Sequence, residues 1–354
     1  MAAAEVPAGR DAAVRAAIAR AAAGERLTRG EAHAAMEAIL AGSATGAQIA
    51  ALAVALRIRG ETAEEIAGFV EAMAAAAVRV NLSKPDAVDL CGTGGDGSGT
   101  INISTAAALV AAAAGARVAK HGNRSASSRC GSADVLERLG VPIELPPERA
   151  AASIEETGFG FLFAPLYHPA MRHAAGPRRE IGVRTFFNLL GPLSSPAGVK
   201  RQLLGVCEDR LRPLLAAALV SLGCERAWVV HARRGDGGGL DEIGLEGPTR
   251  VTEVLNGSAR ELEVVPEDAG IARRDAPDLR GGGPEENARR IEAVLRGDKG
   301  DARDSIVLNA AAALAIASHG SDVRADLHGC AARAADAIDS GRAWRLVERL
   351  RGWR

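Results

Sequence analysis

The sequence predicts an α/β protein in which a small N-terminal helical-bundle domain precedes a larger domain with a mostly parallel sheet and helices on both faces. Residues 1–82 carry three helix-start patterns and no strand pattern. After residue 82, short apolar runs alternate with helical segments, which is typical of parallel sheets covered by helices. With 354 residues, 47% of them hydrophobic, the chain can build both cores.

Each helix predicted in the N-terminal segment begins at a capping box, a Thr followed three residues later by Glu or Gln. The pairs are Thr28 with Glu31, Thr45 with Gln48, and Thr62 with Glu65. After the second and third boxes, apolar residues recur at the spacing of one helix face. We therefore expect a small bundle, part of whose surface binds a second subunit.

Five short apolar runs predict the strands of the sheet, at residues 87–91, 116–120, 159–163, 202–207 and 226–231. Helices predicted over 105–114 and 132–139 each end at a glycine, the residue that best tolerates the left-handed conformation there. Asn256 and Gly257 separate two further apolar runs and predict an antiparallel hairpin at the side of the sheet. From residue 284 onward the pattern is helical again.

A helical stretch at residues 168–193 interrupts the α/β pattern, and its apolar side chains, Phe186 among them, need a partner surface. We expect this stretch to return to the N-terminal bundle. Residues 1–82 with 177–196 would then form the helical domain, and residues 83–176 with 197–354 the α/β domain. Three chain crossings between the domains would provide natural hinges.

Composition excludes several classes of partner. A formal net charge of −1 and a pI of about 6.7 give no general attraction for nucleic acid or anionic membranes, so that anion binding must be local. The longest apolar runs reach about half of the roughly 20 residues that a membrane span needs. No secretory signal is expected at the N-terminus, and five scattered cysteines indicate reduced thiols in the cytoplasm.

A glycine-rich stretch, DLCGTGGDGSGTINIST at residues 89–105, follows the first predicted strand. Its spacing matches the dinucleotide pattern G-x-G-x-x-G, but the second strand ends in Lys120 and His121 instead of the required acidic residue. A Walker loop is excluded because no Gly-Lys-Ser/Thr follows. The alternatives are a surface turn and a phosphate-binding loop of another type, and we favour the second.

Anion-binding groups follow both strands. Asn102, Ser104 and Thr105 lie at the start of the first predicted helix, where free N–H groups and the helix dipole favour an anion, although Ser104 or Thr105 alone could be an ordinary cap. The next loop, KHGNRSASSRCGSAD at residues 120–134, supplies charge, an amide and hydroxyls, while Ser132 could also cap a helix. Two adjacent anion loops predict a ligand that is phosphorylated at two places.

Asp241 and Glu242 follow three glycines near the end of the last predicted strand. Such a pair is often a solvated loop feature, but Mg²⁺ beside a pyrophosphate needs one or two carboxylates. Because the preceding glycines offer no side chain for packing, we expect little dependence of fold stability on these acids.

Four stretches together resemble the anthranilate phosphoribosyltransferases, a family with the nucleoside phosphorylase type II fold. They are GTGGDGSGTINIST (residues 92–105), KHGNRSASSRCGSADVLERLG (120–140), FAPLYHPAMRHAAGPRREIGVRTFFNLLGPLSSPA (163–197) and GLDE (239–242). The resemblance implies a tryptophan-pathway glycosyltransferase that transfers the 5-phosphoribosyl group of phosphoribosyl pyrophosphate (PRPP) to the amine of anthranilate. It further implies Mg²⁺ as cofactor, two ions per subunit, and a homodimer with anthranilate on the side of the helical domain.

The same resemblance assigns residues to each ligand. PRPP would be bound by Gly92, Gly95, Asp96, Thr100, Asn102, Ile103, Ser104, Thr105, Lys120, His121, Gly122, Asn123, Arg124, Ser125, Ala126, Ser127, Ser128 and Ser132. Anthranilate would be held by Gly92, Asn123 and Arg178, and the metal by Ser104, Asp241 and Glu242. Ser195 stands where the family commonly has Asn, and Phe186 where it commonly has Ile, so local packing is expected to differ there.

No acid or base is assigned, because the aromatic amine of anthranilate is already neutral at pH 7. Two other readings stay open from the sequence. A pyrimidine nucleoside phosphorylase shares the fold but uses inorganic phosphate, and the KHGNR and GLDE stretches argue against it. A nucleic-acid-binding relative without transferase activity would need a basic stripe on its surface.

Overall fold

The computed structural model describes residues 10–125, 128–318 and 322–353. Four helices form the N-terminal bundle: α1 (Arg10–Ala22), α2 (Arg29–Leu40), α3 (Gly46–Arg59) and α4 (Ala63–Ala75). The three predicted capping boxes are confirmed, with both reciprocal hydrogen bonds present at the start of α2, α3 and α4. Each box satisfies two backbone N–H groups that the helix itself leaves without partners.

Within the described residues, eight strands form one sheet in the order β3-β2-β1-β4-β5-β7-β8, and β6 pairs with β5 off this path. The pairings that join β3, β2, β1, β4 and β5 are parallel, whereas β5 pairs with β7, and β7 with β8, in the antiparallel direction. The strands are β1 (Val88–Gly92), β2 (Val118–Gly122), β3 (Phe159–Phe163), β4 (Arg201–Gly205), β5 (Arg226–Arg233), β6 (Gly239–Leu240), β7 (Thr249–Leu255) and β8 (Ser258–Val264).

Helices cover both faces of this sheet, which confirms the predicted fold class. The helices that follow the bundle are α5 (Ile103–Ala113), α6 (Ser132–Arg138), α7 (Pro147–Thr157), α8 (Ala164–Tyr167), α9 (Arg172–Ile181), α10 (Phe187–Leu190), α11 (Leu211–Ser221), α12 (Pro284–Leu295), α13 (Asp301–Ala317), α14 (Val323–Asp339) and α15 (Arg342–Arg351). Within the described ranges, no helix combines the length and the apolar character needed to cross a membrane.

All five predicted strands are present, and the second begins two residues later than expected. The helix before it ends in a Schellman motif, in which Gly115 N donates to Ala112 O and Ala116 N donates to Ala111 O. Since Ala116 is used to close the helix, the strand starts at Val118. The predicted hairpin is also confirmed, because Asn256 and Gly257 have φ angles of 47° and 80°, as a type I′ turn requires.

The side chains of β5 alternate between two cores. Trp228 and Val230 pack with α5, α13 and α14 on one face, while Ala227 and Val229 pack with α11 and the N-terminal bundle on the other. This period of two is the expected pattern for a strand that is buried on both faces. The bundle therefore shares a continuous apolar core with one face of the sheet.

The segment that crosses back from the sheet packs into the bundle core, as the sequence analysis expected of its aromatic residues. The Phe186 ring stacks on Phe69 of α4 at 4.4 Å between centroids and on Phe187 at 4.2 Å. The neighbouring Ser195 hydroxyl is buried without a hydrogen-bond partner among the described residues, at the position where the family commonly has Asn. The exact domain boundaries and hinge positions stay predictions.

We predict that Phe186→Ala strongly destabilises the protein, because the ring is fully buried between two other aromatic rings. Removing a buried Phe side chain costs about 3–5 kcal/mol of unfolding free energy, measured by urea denaturation. The matched control is Val183→Ala, whose side chain is 58% exposed in the same segment, so that its effect should stay within about 0.5 kcal/mol. Equal effects of the two substitutions would contradict this packing.

Candidate active site

Two adjoining cavities lie at the carboxyl ends of β1 and β2, the edge of an open α/β sheet where ligands bind. A polar cavity of about 340 Å³ is lined by the two glycine- and serine-rich loops together with Asp241 and Glu242. An apolar cavity of about 420 Å³ is lined by residues of α9 and α10, including Arg178 and Phe187. Both cavities share Gly92, Asn123 and the residues next to them, so they form one cleft with a polar and an apolar end.

The structure brings together the predicted site residues that it describes. The polar cavity is lined by Gly92, Gly95, Asp96, Thr100, Asn102, Ile103, Ser104, Thr105, Lys120, His121, Gly122, Asn123, Arg124, Ser125, Ser128, Ser132, Asp241 and Glu242. Arg178 lines the apolar cavity. Ala126 and Ser127 lie outside the described residues.

Close approach of Asp241 explains two of the glycines at this edge. A Cβ atom on Gly92 would lie 2.3 Å from Asp241 Oδ2, and one on Gly205 would lie 1.6 Å from Asp241 O. A side chain at position 92 would displace the Asp241 carboxylate, and one at position 205 would displace the backbone of the loop. Sequence reasoning identified Gly92 but missed Gly205, which ends an ordinary apolar strand and carries no distinguishing local pattern.

Asp241 and Glu242 are held more firmly than the sequence predicted. The expectation that this segment has no packing was wrong, because Leu240 and Ile243 on either side of the pair are buried. Asp241 Oδ2 accepts a hydrogen bond from Gly94 N at 2.8 Å, and Glu242 Oε1 accepts one from Ser104 N at 2.9 Å. The carboxylates therefore bind the backbone of the glycine-rich loop and of the helix that follows it.

These carboxylates also crowd one another. Burial raises the pKa of Asp241 to about 7, and the neighbouring Asp96 contributes to the rise. Burial and the charge of Asp241 raise the pKa of Glu242 to about 8. Negative charge held in partly buried surroundings is stabilised by a nearby cation.

Oxygen ligands of this kind suit Mg²⁺, which prefers carboxylates, hydroxyls, water and phosphate oxygens. Asp241, Glu242 and the Ser104 hydroxyl supply such oxygens at one side of the polar cavity. In the part of the chain that the structure describes, no three His, Cys, Asp or Glu side chains form a ready ligand set. The residues present fit a cation that completes its coordination with ligand phosphates and water, as Mg²⁺ does in many phosphate sites.

The second loop is organised by Asp134 of α6. Its carboxylate accepts hydrogen bonds from Gly131 N at 2.9 Å and from Ser125 N at 3.1 Å. Arg124 pairs with Asp134 at 3.0 Å and with Glu137 at 2.9 Å, so its guanidinium is directed at α6 in this conformation. Its contact with a phosphate stays a prediction.

None of the three candidate caps in the two loops, Ser104, Thr105 and Ser132, is an N-cap in the structure. Helix α6 begins at Ser132 with Gly131 as its N-cap, and the Ser132 hydroxyl donates to Asn123 O at 3.2 Å. Helix α5 begins at Ile103 with Asn102 at the N-cap position. Ser104 and Thr105 therefore lie inside the first turn, so their presence is not explained by capping.

Lys120 and His121 are buried where β2 ends. The Lys120 ammonium donates to Leu90 O and lowers the pKa of the fully buried Asp89, although burial leaves that pKa raised, at about 7. Burial, together with His168, lowers the pKa of His121 to about 3, so its ring is neutral at pH 7. Asp89 was missed by sequence reasoning, because only the parallel pairing of β1 with β2 places it beside the lysine.

Arg178 places a positive charge in the apolar cavity. Its guanidinium carbon lies 5.3 Å from the centre of the Phe187 ring, a cation–π contact, and burial lowers its pKa. Among the described residues, no carboxylate pairs with it. The position suits a flat ligand that carries its own carboxylate.

Two buried asparagines from C-terminal helices contact the site from behind and were missed by sequence reasoning. Asn309 of α13 accepts a hydrogen bond from Ile243 N at 3.0 Å and donates to Ile243 O at 3.1 Å, which fixes the residue after Glu242. A polar residue in the apolar run SIVLNAAAALAIA was a usable signal. Asn287 of α12, which contacts Asn102, stands in an amphipathic helix and gave no such signal.

Known protein families and relatives match this chain over nearly its whole length. The glycosyl transferase family patterns match at the helical bundle domain over residues 15–77 and at the a/b domain over residues 84–344. Anthranilate phosphoribosyltransferase of Moorella thermoacetica is 48% identical over 340 residues, covering 96% of this chain and 98% of the relative.

Solved structures give the same result. The crystal structure of anthranilate phosphoribosyltransferase from Thermus thermophilus superposes with a TM-score of 0.87 at 46% identity, covering 95% of this chain and 98% of that one. The Saccharomyces cerevisiae enzyme in complex with PRPP and Mg superposes with a TM-score of 0.84 at 28% identity, covering 96% and 97%.

We predict that the double variant Asp241→Asn, Glu242→Gln is more stable than the wild type in metal-free buffer at pH 8, and equally stable near pH 4. Folding raises both pKa values above those of ordinary carboxyl groups, so the charged forms are penalised in the folded state. This penalty is absent at low pH and grows as the pH rises through about 4 to 8. The expected gain in thermal midpoint at pH 8 is about 2 °C or more.

The readout is the thermal midpoint across this pH range, with and without Mg²⁺. Added Mg²⁺ should raise the midpoint of the wild type and not that of the double variant. The control is Asp236→Asn, a change at a mostly exposed acid in the same loop, which should show neither effect. A difference between wild type and double variant that does not change with pH would contradict the prediction.

Proposed function

Because this chain belongs to the anthranilate phosphoribosyltransferase family of glycosyl transferases, we propose that its polar cavity binds PRPP and its apolar cavity binds anthranilate. The family reaction transfers the 5-phosphoribosyl group of PRPP to the amine of anthranilate and releases pyrophosphate. The observation that carries the proposal is the junction of the two cavities at Gly92 and Asn123. At this junction the reacting carbon of one substrate can meet the amine of the other.

The proposed PRPP site consists of the two loops and the metal-binding oxygens assigned from the sequence. Residues at the start of α5 and along the glycine-rich loop line the polar cavity, where backbone N–H groups would suit phosphate oxygens. We propose Ser104, Asp241 and Glu242 as ligands of Mg²⁺, with two ions per subunit. Bound Mg²⁺ would neutralise charge on the departing pyrophosphate.

The proposed anthranilate site is the apolar cavity with Arg178 at its wall. Arg178 would pair with the carboxylate of anthranilate, while Phe187 and the apolar lining contact the ring. The amine would then point towards Gly92 and Asn123 at the cavity junction. The buried His121, with a pKa of about 3, is too weak a base to be useful at pH 7, in agreement with a reaction that needs none.

Catalysis in this arrangement is mainly alignment and electrostatics. Positive charge develops on the ribose and negative charge on the leaving group as the bond between them breaks. The chain contributes by orienting the phosphates with backbone donors, by holding the acceptor through Arg178, and by excluding water from the apolar cavity. Motion of the helical domain relative to the sheet would close the cleft around both substrates.

We propose that the protein is a homodimer that pairs through the outer face of α3. Ala47, Ala51, Val54 and Ile58 form one exposed stripe along this helix, and Ile58 is 81% exposed. An apolar stripe of this kind is best covered by a second copy of the same surface across a two-fold axis. The cytoplasmic location is also kept as part of the proposal, because all five cysteines are unpaired thiols.

Arg178→Ala should raise the KM for anthranilate about 10- to 100-fold, because one charge-assisted contact is lost. The KM for PRPP should change by less than about twofold, since Arg178 lies outside the polar cavity. The assay is loss of anthranilate fluorescence in the presence of PRPP and Mg²⁺, and its wild-type reaction tests the activity itself. Arg179→Ala, at an exposed neighbour on the same helix, is the matched control. Equal increases in both KM values for Arg178→Ala would contradict the assignment of Arg178 to the proposed anthranilate site.

Ile58→Glu should convert the proposed dimer to a monomer, because it places a charge on the large, highly exposed residue at the C-terminal end of the apolar stripe. Light scattering after size-exclusion chromatography measures the mass directly. Leu166→Glu, at a 40% exposed apolar residue outside α3, should leave the mass unchanged. A wild-type monomer, or a dimer that survives Ile58→Glu, would show that this face is not the interface.

A further inference from the structure

A short segment from the C-terminal part of the chain runs directly behind the glycine-rich loop. Gly281 N donates to Gly99 O at 2.7 Å, and Ile101 N donates to Leu279 O at 2.9 Å. Residues 279–281 therefore pair antiparallel with residues 99–101. A Cβ atom on Gly281 would lie 2.6 Å from Thr100 O, so the two backbones are in closest contact.

Asn287 lies on the first turn of α12, just after this segment, and is 1% exposed. Its Oδ1 accepts a hydrogen bond from Gly282 N at 2.7 Å, and its Nδ2 donates to Asn102 Oδ1 at 2.9 Å. These partners fix the orientation of the amide, because exchange of its oxygen and nitrogen would place two donors against each other.

Asn102 extends this contact to the second loop. Its Nδ2 donates to Cys130 O at 3.1 Å, and it makes no side-chain capping bond to its own helix. Two side-chain amides in series thus join the segment before α12, the glycine-rich loop and the serine-rich loop. The distance between the two loops is set by this chain of hydrogen bonds.

We propose that Asn287 is a positioning residue for the PRPP site, acting through Asn102 to hold the two loops at the spacing that the phosphorylated substrate requires. The inference rests on the proposed assignment of these loops to PRPP. An apolar side chain at position 287 would leave Gly282 N and Asn102 Oδ1 without partners. The freed Asn102 amide would lose its fixed direction towards Cys130.

Steady-state kinetics of four variants test this role: Asn287→Ala, Asn287→Asp, Asn102→Ala and the double variant Asn102→Ala, Asn287→Ala. Asn287→Ala should raise the KM for PRPP about tenfold, the effect of one buried hydrogen bond, and leave the KM for anthranilate within about twofold. Asn287→Asp should act in the same direction. Its carboxylate still accepts from Gly282 N but presents an oxygen to Asn102 Oδ1. If Asn287→Ala does not fold, the KM for PRPP of Asn287→Asp tests the same role.

The double variant distinguishes an indirect role from an independent one. Because Asn287 acts through Asn102, the double variant should be no worse for PRPP than Asn102→Ala alone. Additive increases in KM would overturn the inference. The structural control is Ser153→Ala, which removes a buried hydroxyl that donates to Phe159 O at 2.8 Å, at the opposite end of the sheet. It should lower the thermal midpoint and leave the KM for PRPP unchanged.

Three outcomes distinguish a failure of the role of Asn287 from a failure of the proposed assignment of the two loops to PRPP. If Asn287 variants lower the thermal midpoint as Ser153→Ala does but keep the wild-type KM for PRPP, the role of Asn287 is only structural. If Asn102→Ala raises this KM while both Asn287 variants do not, the donor site stands and this inference falls. An unchanged KM for PRPP in Asn102→Ala overturns the assignment of the loops themselves.

Discussion

The burial of two carboxylates against the backbone is the constraint on which the rest of the site depends. Asp241 accepts from Gly94 N and Glu242 accepts from Ser104 N, so the acidic loop is joined to both the glycine-rich loop and α5. The end of β4 passes so close to the backbone of Asp241 that only glycine fits at position 205, and the end of β1 leaves room for the Asp241 carboxylate only because position 92 is glycine. Asn309 then holds Ile243, which keeps the loop at this depth. A cluster of acidic groups next to the polar cavity results, and its negative charge costs stability unless a cation is present.

This arrangement would link the proposed metal site to the proposed PRPP site. The N–H groups of Gly94 and Ser104, two residues that line the polar cavity, donate to these carboxylates. An anion gains these donors only when the carboxylates turn towards another positive partner. A cation that binds Asp241 and Glu242 both offsets their repulsion and frees the backbone donors. Metal and PRPP binding are therefore expected to support each other, as linkage requires.

Local patterns in the sequence were enough to predict the helices, the strands and the two loops, because each depends on neighbours in the chain. The capping boxes, the Asn256–Gly257 turn and the glycines around residue 95 are of this kind. Residues whose roles depend on long-range contacts were missed. Gly205 is explained only by Asp241, Asp89 only by the pairing of β1 with β2, and Asn287 only by Asn102. The packing around the acidic pair was predicted wrongly. The glycines before the pair offer no side chain for packing, but Leu240 and Ile243 on either side of it are buried.

In the proposed anthranilate site, Arg178 would select the ligand by its charge. Arg178 stands in apolar surroundings with no carboxylate partner among the described residues, and burial already lowers its pKa. A ligand with a carboxylate offsets that cost, whereas an aromatic amine without one leaves the guanidinium desolvated and alone. Discrimination between such ligands would be strong, because a ligand without a carboxylate both loses the contact with Arg178 and leaves the guanidinium desolvated without a partner. An aromatic ring would fill the proposed site by its shape, and the charge of Arg178 would favour those aromatic amines that also carry a carboxylate.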